Sequence, residues 1–149
     1  MASNSISYAY KLLSMRDYFR QELFDKIEKK YGIIEAEKVI QEMENMGYIN
    51  DERTAYNYVR SKLKSGYGPY YISNKLYLIG CQKDISFIDY VAEKEDIDYS
   101  LYIKKYMVRY VKENSDDPYK DYVKCINFLK NKGYSPSYVM TIIKKEDFE

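Results

Sequence analysis

Apolar residues recur three and four positions apart along almost the whole chain, and the polar or glycine-bearing breaks between these stripes are short. That spacing lines up one face of an α-helix, so the pattern predicts an all-α protein of eight or nine helices. Ile6, Ala9, Leu12 and Leu13 predict a first helix over 5–15. Phe19, Leu23, Ile27 and Tyr31 predict a second, with Asp17 as its cap and Gly32 as its stop. A third stripe on Ala36, Val39, Ile40, Met43 and Met46 ends at Gly47. Asn50 or Asp51 starts a fourth, which turns Ala55, Tyr56, Val59 and Leu63 inward and stops at Gly66.

The second half repeats this rhythm. Pro69 suits the first turn of a fifth helix, where its missing N–H costs nothing, and Ile72, Leu76 and Ile79 carry the stripe to Gly80. Ile85, Ile88, Val91 and Ala92 predict a sixth, and Tyr99, Ile103, Tyr106 and Tyr110 a seventh over about 98–114. Asp117 with Pro118 opens an eighth that runs through Tyr122, Val123, Ile126 and Leu129 to Gly133; Ser135 with Pro136 opens a ninth on Val139, Ile142 and Ile143. Counted as nine, the helices fall into three groups of three. Ile27, Leu76 and Leu129 each sit four residues before a helix-ending position, at intervals of 49 and 53 residues. Periods of that size mark helical arrays in which each unit buries its apolar face partly against the next. The expectation is three tandem three-helix repeats, residues 1–49, 50–97 and 98–149, forming an elongated, curved array.

Composition narrows the chemistry. At 149 residues with 46% hydrophobic and 32% charged residues the chain has a soluble globular balance, and no stretch approaches the run of about 18 apolar residues that a membrane span needs. The start, MASNSISYAYKLL, lacks a charged segment followed by an apolar run, so no signal peptide and a cytoplasmic location are expected. Histidine is absent, which removes the commonest general base and metal ligand and every Ser-His or Cys-His arrangement. There is no GxxxxGK[ST] or GxGxxG loop, and Cys81 and Cys125 have no CxxC partner and read as reduced thiols. No catalytic site, metal or cofactor is expected. The twenty tyrosines read as packing residues that keep their hydroxyls at the surface.

Charge is what singles out one region. The chain carries a net +1, yet Arg53, Arg60, Lys62, Lys64, Lys75 and Lys83 form an island from 53 to 83 without one Asp or Glu. On a helical wheel, Val59 and Leu63 lie within about 80° of Ala55, whereas Arg53, Arg60 and Lys64 fall near 180°, so one face packs and the other is basic. The start of the fifth helix is expected to leave unpaired N–H groups at Tyr70 and Tyr71 beside Lys64 and Lys75, a seat for an anion. Lys105, Arg109 and Lys112 repeat a single-sided basic stripe on the seventh helix. The acidic run Asp84, Asp89, Glu93, Glu95, Asp96 and Asp98 reads either as a solvated connector or as a partner for the island.

The run Gly47-Tyr48-Ile49-Asn50-Asp51-Glu52-Arg53-Thr54-Ala55, followed by Arg60, Lys64, Ser65-Gly66-Tyr67-Gly68-Pro69 and then Ile72, Leu76 and Gly80, resembles the RecX family of RecA regulators. The opening G-Y-[IL]-[ND]-D-E-R-x-A, the arginine, the K-x-G-x-G-P turn and the I-x-x-x-L-x-x-x-G helix of that family are all present in order. Arg16-Asp17, Glu22-Leu23 and Lys26-Ile27 match its R-D-x-x-x-x-E-L-x-x-K-L, with isoleucine for the last leucine. From about residue 98 onward only the general plan of short helices is matched.

The resemblance implies a non-enzymatic, monomeric modulator that lodges in the groove of the RecA–DNA filament and hinders strand exchange, ATPase and co-protease activity in DNA repair and the SOS response. On this reading Arg53, Arg60, Lys64 and Lys75 meet acidic RecA side chains or DNA phosphate, Tyr67 and Tyr71 supply packing area at the turn, and Lys105, Arg109 and Lys112 extend the surface. Contact with single- or double-stranded DNA is expected to be weak or made through the filament. The alternative is a helical nucleic-acid-binding module that acts without RecA, against which the near-neutral charge argues.

Overall fold

The computed structural model describes residues 4–113 and 116–149, the side chains of 112 and 113 excepted. Among the described residues every regular element is helical: α1 Asn4–Met15, α2 Arg20–Tyr31, α3 Ile33–Asn45, α4 Asp51–Lys64, α5 Pro69–Ile79, α6 Ile85–Lys94, α7 Tyr99–Glu113, α8 Pro118–Lys132 and α9 Pro136–Ile142, closed by a 3-10 turn at Lys145–Phe148. Asn114, expected to end the seventh helix, lies outside the described residues. The chain divides into two compact units, one holding the described residues as far as Tyr58 with Leu76–Gln82, the other Val59–Lys75 with Lys83–Glu149.

In the first unit α1 packs on α2 and α3, and α2 on α3. The stripes read from sequence meet there: Ala9, Leu23, Ile27, Ala36, Val39, Ile40 and Met43 are buried together, with Tyr18 and Ile49. Two helix starts differ from expectation. Asp17 does not cap α2, which begins three residues later with Phe19 in the cap position. The Glu22 carboxylate reaches back to the Phe19 N–H at 3.0 Å and is itself held by Arg16 at 3.3 Å. Arg16 also lies 3.7 Å from the Tyr18 ring centroid, so Arg16 and Glu22 of the R-D-x-x-x-x-E-L motif form one brace at the helix start. At α4 the cap is Asn50, whose side-chain oxygen accepts from the Arg53 N–H at 3.1 Å. Asp51 serves a different helix, accepting the Arg20 N–H of α2 at 2.8 Å, while Arg20 Nε donates to Glu44 at 2.9 Å.

In the second unit α8 packs on α7, α9 and the closing 3-10 turn, and α7 on α9. Ile103, Cys125, Ile126, Leu129, Val139, Ile143 and Phe148 form its buried cluster, with Tyr134 beneath the surface. Asp117 caps α8 through the Lys120 N–H at 3.2 Å, and Gly133 ends it at φ 105°. Asp84 caps α6 through the Phe87 N–H at 3.1 Å.

Candidate functional site

The K-x-G-x-G-P turn is built around a crossing of two chain segments. Gly68 N–H donates to Lys132 O at 2.7 Å, and Tyr70 N–H donates to Gly133 O at 2.9 Å. The carbonyl end of α8 is thus docked onto the amide end of α5, satisfying groups that each helix would otherwise leave open. A Cβ on Gly68 would stand 2.5 Å from Gly133 C, and one on Gly133 would stand 2.5 Å from Tyr71 N. Glycine is required at both places because backbone meets backbone. The expected anion seat at Tyr70 and Tyr71 is therefore corrected: the Tyr70 amide is already used, and Gly133 lies against that of Tyr71. The Tyr134 hydroxyl adds a buried hydrogen bond to Gly66 O at 2.9 Å. Burial raises the Tyr134 phenol well above its ordinary pKa, because the charged form would lose its water.

Cations gather on this frame. Tyr67 and Tyr71 stack with centroids 4.2 Å apart and planes within 15°. Lys132 Nζ lies 4.2 Å from the Tyr67 centroid. Lys62 Nζ stands 5.5 Å from the Tyr67 ring, and Lys75 Nζ 5.3 Å from the Tyr71 ring. Ring quadrupoles hold the ammonium groups in place without neutralising them. The two tyrosines pack against each other beside the turn. Lys132 is not among the residues the sequence singles out, since nothing local marks a last-turn lysine of α8 as a neighbour of Tyr67.

Lys64 and Lys105 come together along an open depression of about 520 Å³ that Glu95, Asp96 and Asp98 also line. Arg60 departs from the reading of an uncompensated stripe: its guanidinium pairs with Glu95 at 3.5 Å, with 43% and 21% of the two side chains exposed. The acidic run is, at Glu95, a partner for the basic island. Among the described residues Arg53, Lys64, Lys75, Lys105 and Arg109 make no salt bridge, and all five are exposed. Arg53 belongs to the first unit and the other four to the second. The Lys112 side chain lies outside the described residues. The second unit thus presents exposed positive charge at Lys64, Lys75, Lys105 and Arg109, suited to an acidic protein surface or a phosphate chain.

No family model matches the chain. Among curated proteins it is similar to the regulatory protein RecX of Legionella pneumophila, 28% identical over 138 residues that make up 92% of this chain and 91% of that one. It is also similar to the regulatory protein RecX of Haemophilus ducreyi, 30% identical over 72% of this chain and 81% of that one. Against a crystal structure of regulatory protein RecX the TM-score is 0.77 at 21% identity, covering 93% of this chain and 69% of that one. Against RecX from Lactobacillus salivarius it is 0.73 at 22% identity, covering 97% and 96%. The two structural likenesses show that the fold is shared.

Proposed function

The chain belongs to the RecX family of regulatory proteins, and from that premise we propose that it binds the RecA–DNA filament in its groove and modulates, mostly by inhibiting, recombination, ATPase and co-protease activity. Regulation works by occupancy, without a reaction catalysed by this chain. The observation that carries the reading is the cationic surface of the second unit: Lys64, Lys75, Lys105 and Arg109 stand exposed and unbridged, among the described residues, in the unit whose α5 and α8 ends are locked together by paired backbone hydrogen bonds. Arg60 joins this surface in the proposal by exchanging Glu95 for a partner on binding, and Arg53 and Lys112 are proposed as further contacts. Tyr67 and Tyr71 hold the cations and add contact area at the edge.

Charge reversal at Lys64 and Lys105 tests the surface, because both side chains are exposed and reversal leaves the core intact. RecA ATPase and strand-exchange assays over a salt series should require roughly tenfold more of the Lys64→Glu/Lys105→Glu variant for half-inhibition, from the loss of two close charge contacts and the repulsion that replaces them. Inhibition equal to wild type by a folded double variant refutes the site. Binding of wild type to naked DNA as tight as to the filament, with a steep salt dependence, refutes the filament reading in favour of a RecA-independent nucleic-acid module.

A further inference from the structure

The second unit carries a surface of the opposite sign that the cationic surface does not use. A groove of about 430 Å³ opens between α6, the start of α9 and the first turn of α5. Its floor is apolar, formed by Pro69, Ala92 and the half-buried Ile85 and Ile97. Its walls are aromatic: Tyr99 and Tyr134 stand deep, while Tyr70 and Tyr138 are 57% and 39% exposed at the mouth. Two carboxylates, Asp89 and Glu93, lie one turn apart on the same face of α6 and edge the groove. No lysine or arginine lines it among the described residues.

The carboxylates are positioned for a ligand. The Tyr99 hydroxyl donates to Asp89 Oδ1 at 2.7 Å, which fixes that side chain and leaves its second oxygen for another donor. Glu93 is exposed. The Tyr138 phenol is raised above its ordinary pKa, first by burial and then by the negative charge of Asp98. An adjoining hollow, sharing Tyr70, Tyr134 and Ser135 with the groove, carries Lys130, so the polarity runs from acid at α6 to base at α8.

We propose that this groove binds a peptide segment of a partner protein that presents an arginine between apolar residues, with the guanidinium directed to Asp89 and Glu93. A planar guanidinium stacks on a tyrosine face while its fork of N–H donors meets carboxylates, and the apolar neighbours cover the Pro69 and Ala92 floor. The volume is that of an ordinary small-ligand site and accommodates a short extended segment. Nucleic acid is disfavoured because its phosphates would face two carboxylates. The proposal does not rest on the filament reading, since its test needs no filament.

Fluorescence anisotropy with the full chain and a fluorescein-labelled pentapeptide, Gly-Leu-Arg-Leu-Gly, tests it. The arginine probe should bind about tenfold more tightly than its Gly-Leu-Glu-Leu-Gly counterpart, and Asp89→Asn/Glu93→Gln should remove about that tenfold advantage. The amide introduced by Asp89→Asn retains an acceptor for Tyr99, and a single Glu93→Arg exchange at an exposed site serves as a second variant, with thermal melting confirming that each remains folded. Arginine binding unchanged in both variants overturns the proposal, as does failure of the arginine probe to saturate at millimolar concentration. Concentration-dependent dimers in sedimentation that Glu93→Arg abolishes would assign the groove to a second copy of this chain and likewise overturn it.

Discussion

Gly68→Ala isolates the crossing of the two turns. The other five glycines have φ between +79° and +105°, so alanine there is strained by the backbone itself; Gly68 does not, and what it lacks is space. Its added Cβ would stand 2.5 Å from Gly133 C, 2.6 Å from Gly133 O and 2.7 Å from Tyr134 N, all backbone atoms that no side-chain rotation can relieve. Separating the segments enough to admit a methyl group disrupts the bonds from Gly68 N–H to Lys132 O and from Tyr70 N–H to Gly133 O. Overpacking costs about 1–3 kcal/mol and each of the two lost hydrogen bonds about 0.5–1.5, so the expected loss is about 2–6 kcal/mol. Gly47→Ala is the control: φ is +79° with no atom within 4 Å, and the left-handed backbone alone costs about 1–2 kcal/mol. In urea titrations followed by far-ultraviolet circular dichroism, Gly68→Ala should lower the midpoint by roughly 1–3 M for a slope near 2 kcal/mol per molar, and Gly47→Ala by roughly 0.5–1 M. A Gly68→Ala midpoint at or above that of Gly47→Ala refutes the steric argument.

Asp51→Ala should cost about 1 kcal/mol through the start of α2 and not of α4: amide exchange at Arg20 accelerates in the variant while Arg53, capped by Asn50, is unchanged, and the reverse pattern would refute this assignment. Tyr134→Phe should cost about 1–2 kcal/mol near neutrality by leaving Gly66 O without its partner. Because the folded phenol is held above the unfolded value of 10.0, the unfolded state loses its proton first and wild-type stability falls as pH rises past about 10. Tyr134→Phe should fall less steeply there, and equal slopes would refute the linkage.

Helix positions are legible in the sequence because a 3.6-residue stripe and a terminal glycine are local signals. Leu23 and Ile27, Val59 and Leu63, and Ile126 and Leu129 are buried as their spacing requires. What escapes such a reading is set by groups distant in sequence. The start of α2 differs from expectation because Phe19 has no capping oxygen; Glu22 and Asp51, the latter 31 residues on from Arg20, supply the acceptors. The anion seat at α5 is not there because the end of α8 fills it. At the basic island the sequence shows which residues carry charge but not which charge survives folding: Glu95 reaches Arg60, while Lys132 joins Lys62 at Tyr67. The closing 3-10 turn has no periodic stripe in its four residues to announce it, although Phe148 is buried by it.

A net charge of +1 has a different meaning once the acids of α6 are placed. Glu95, at the end of that helix, is committed to Arg60 and trims the basic surface, whereas Asp89 and Glu93, one turn apart on α6, edge the aromatic groove. Lys64, Lys75, Lys105 and Arg109 keep their charge on the same unit. Near-neutrality therefore arises from opposite charges held apart as well as from paired ones. Such a surface gains little from a uniform polyanion, whose phosphates are attracted at the basic surface and repelled at the groove. A protein partner with both signs in register satisfies each region at once and is rejected when misoriented, so the charge distribution favours specificity of docking over raw affinity.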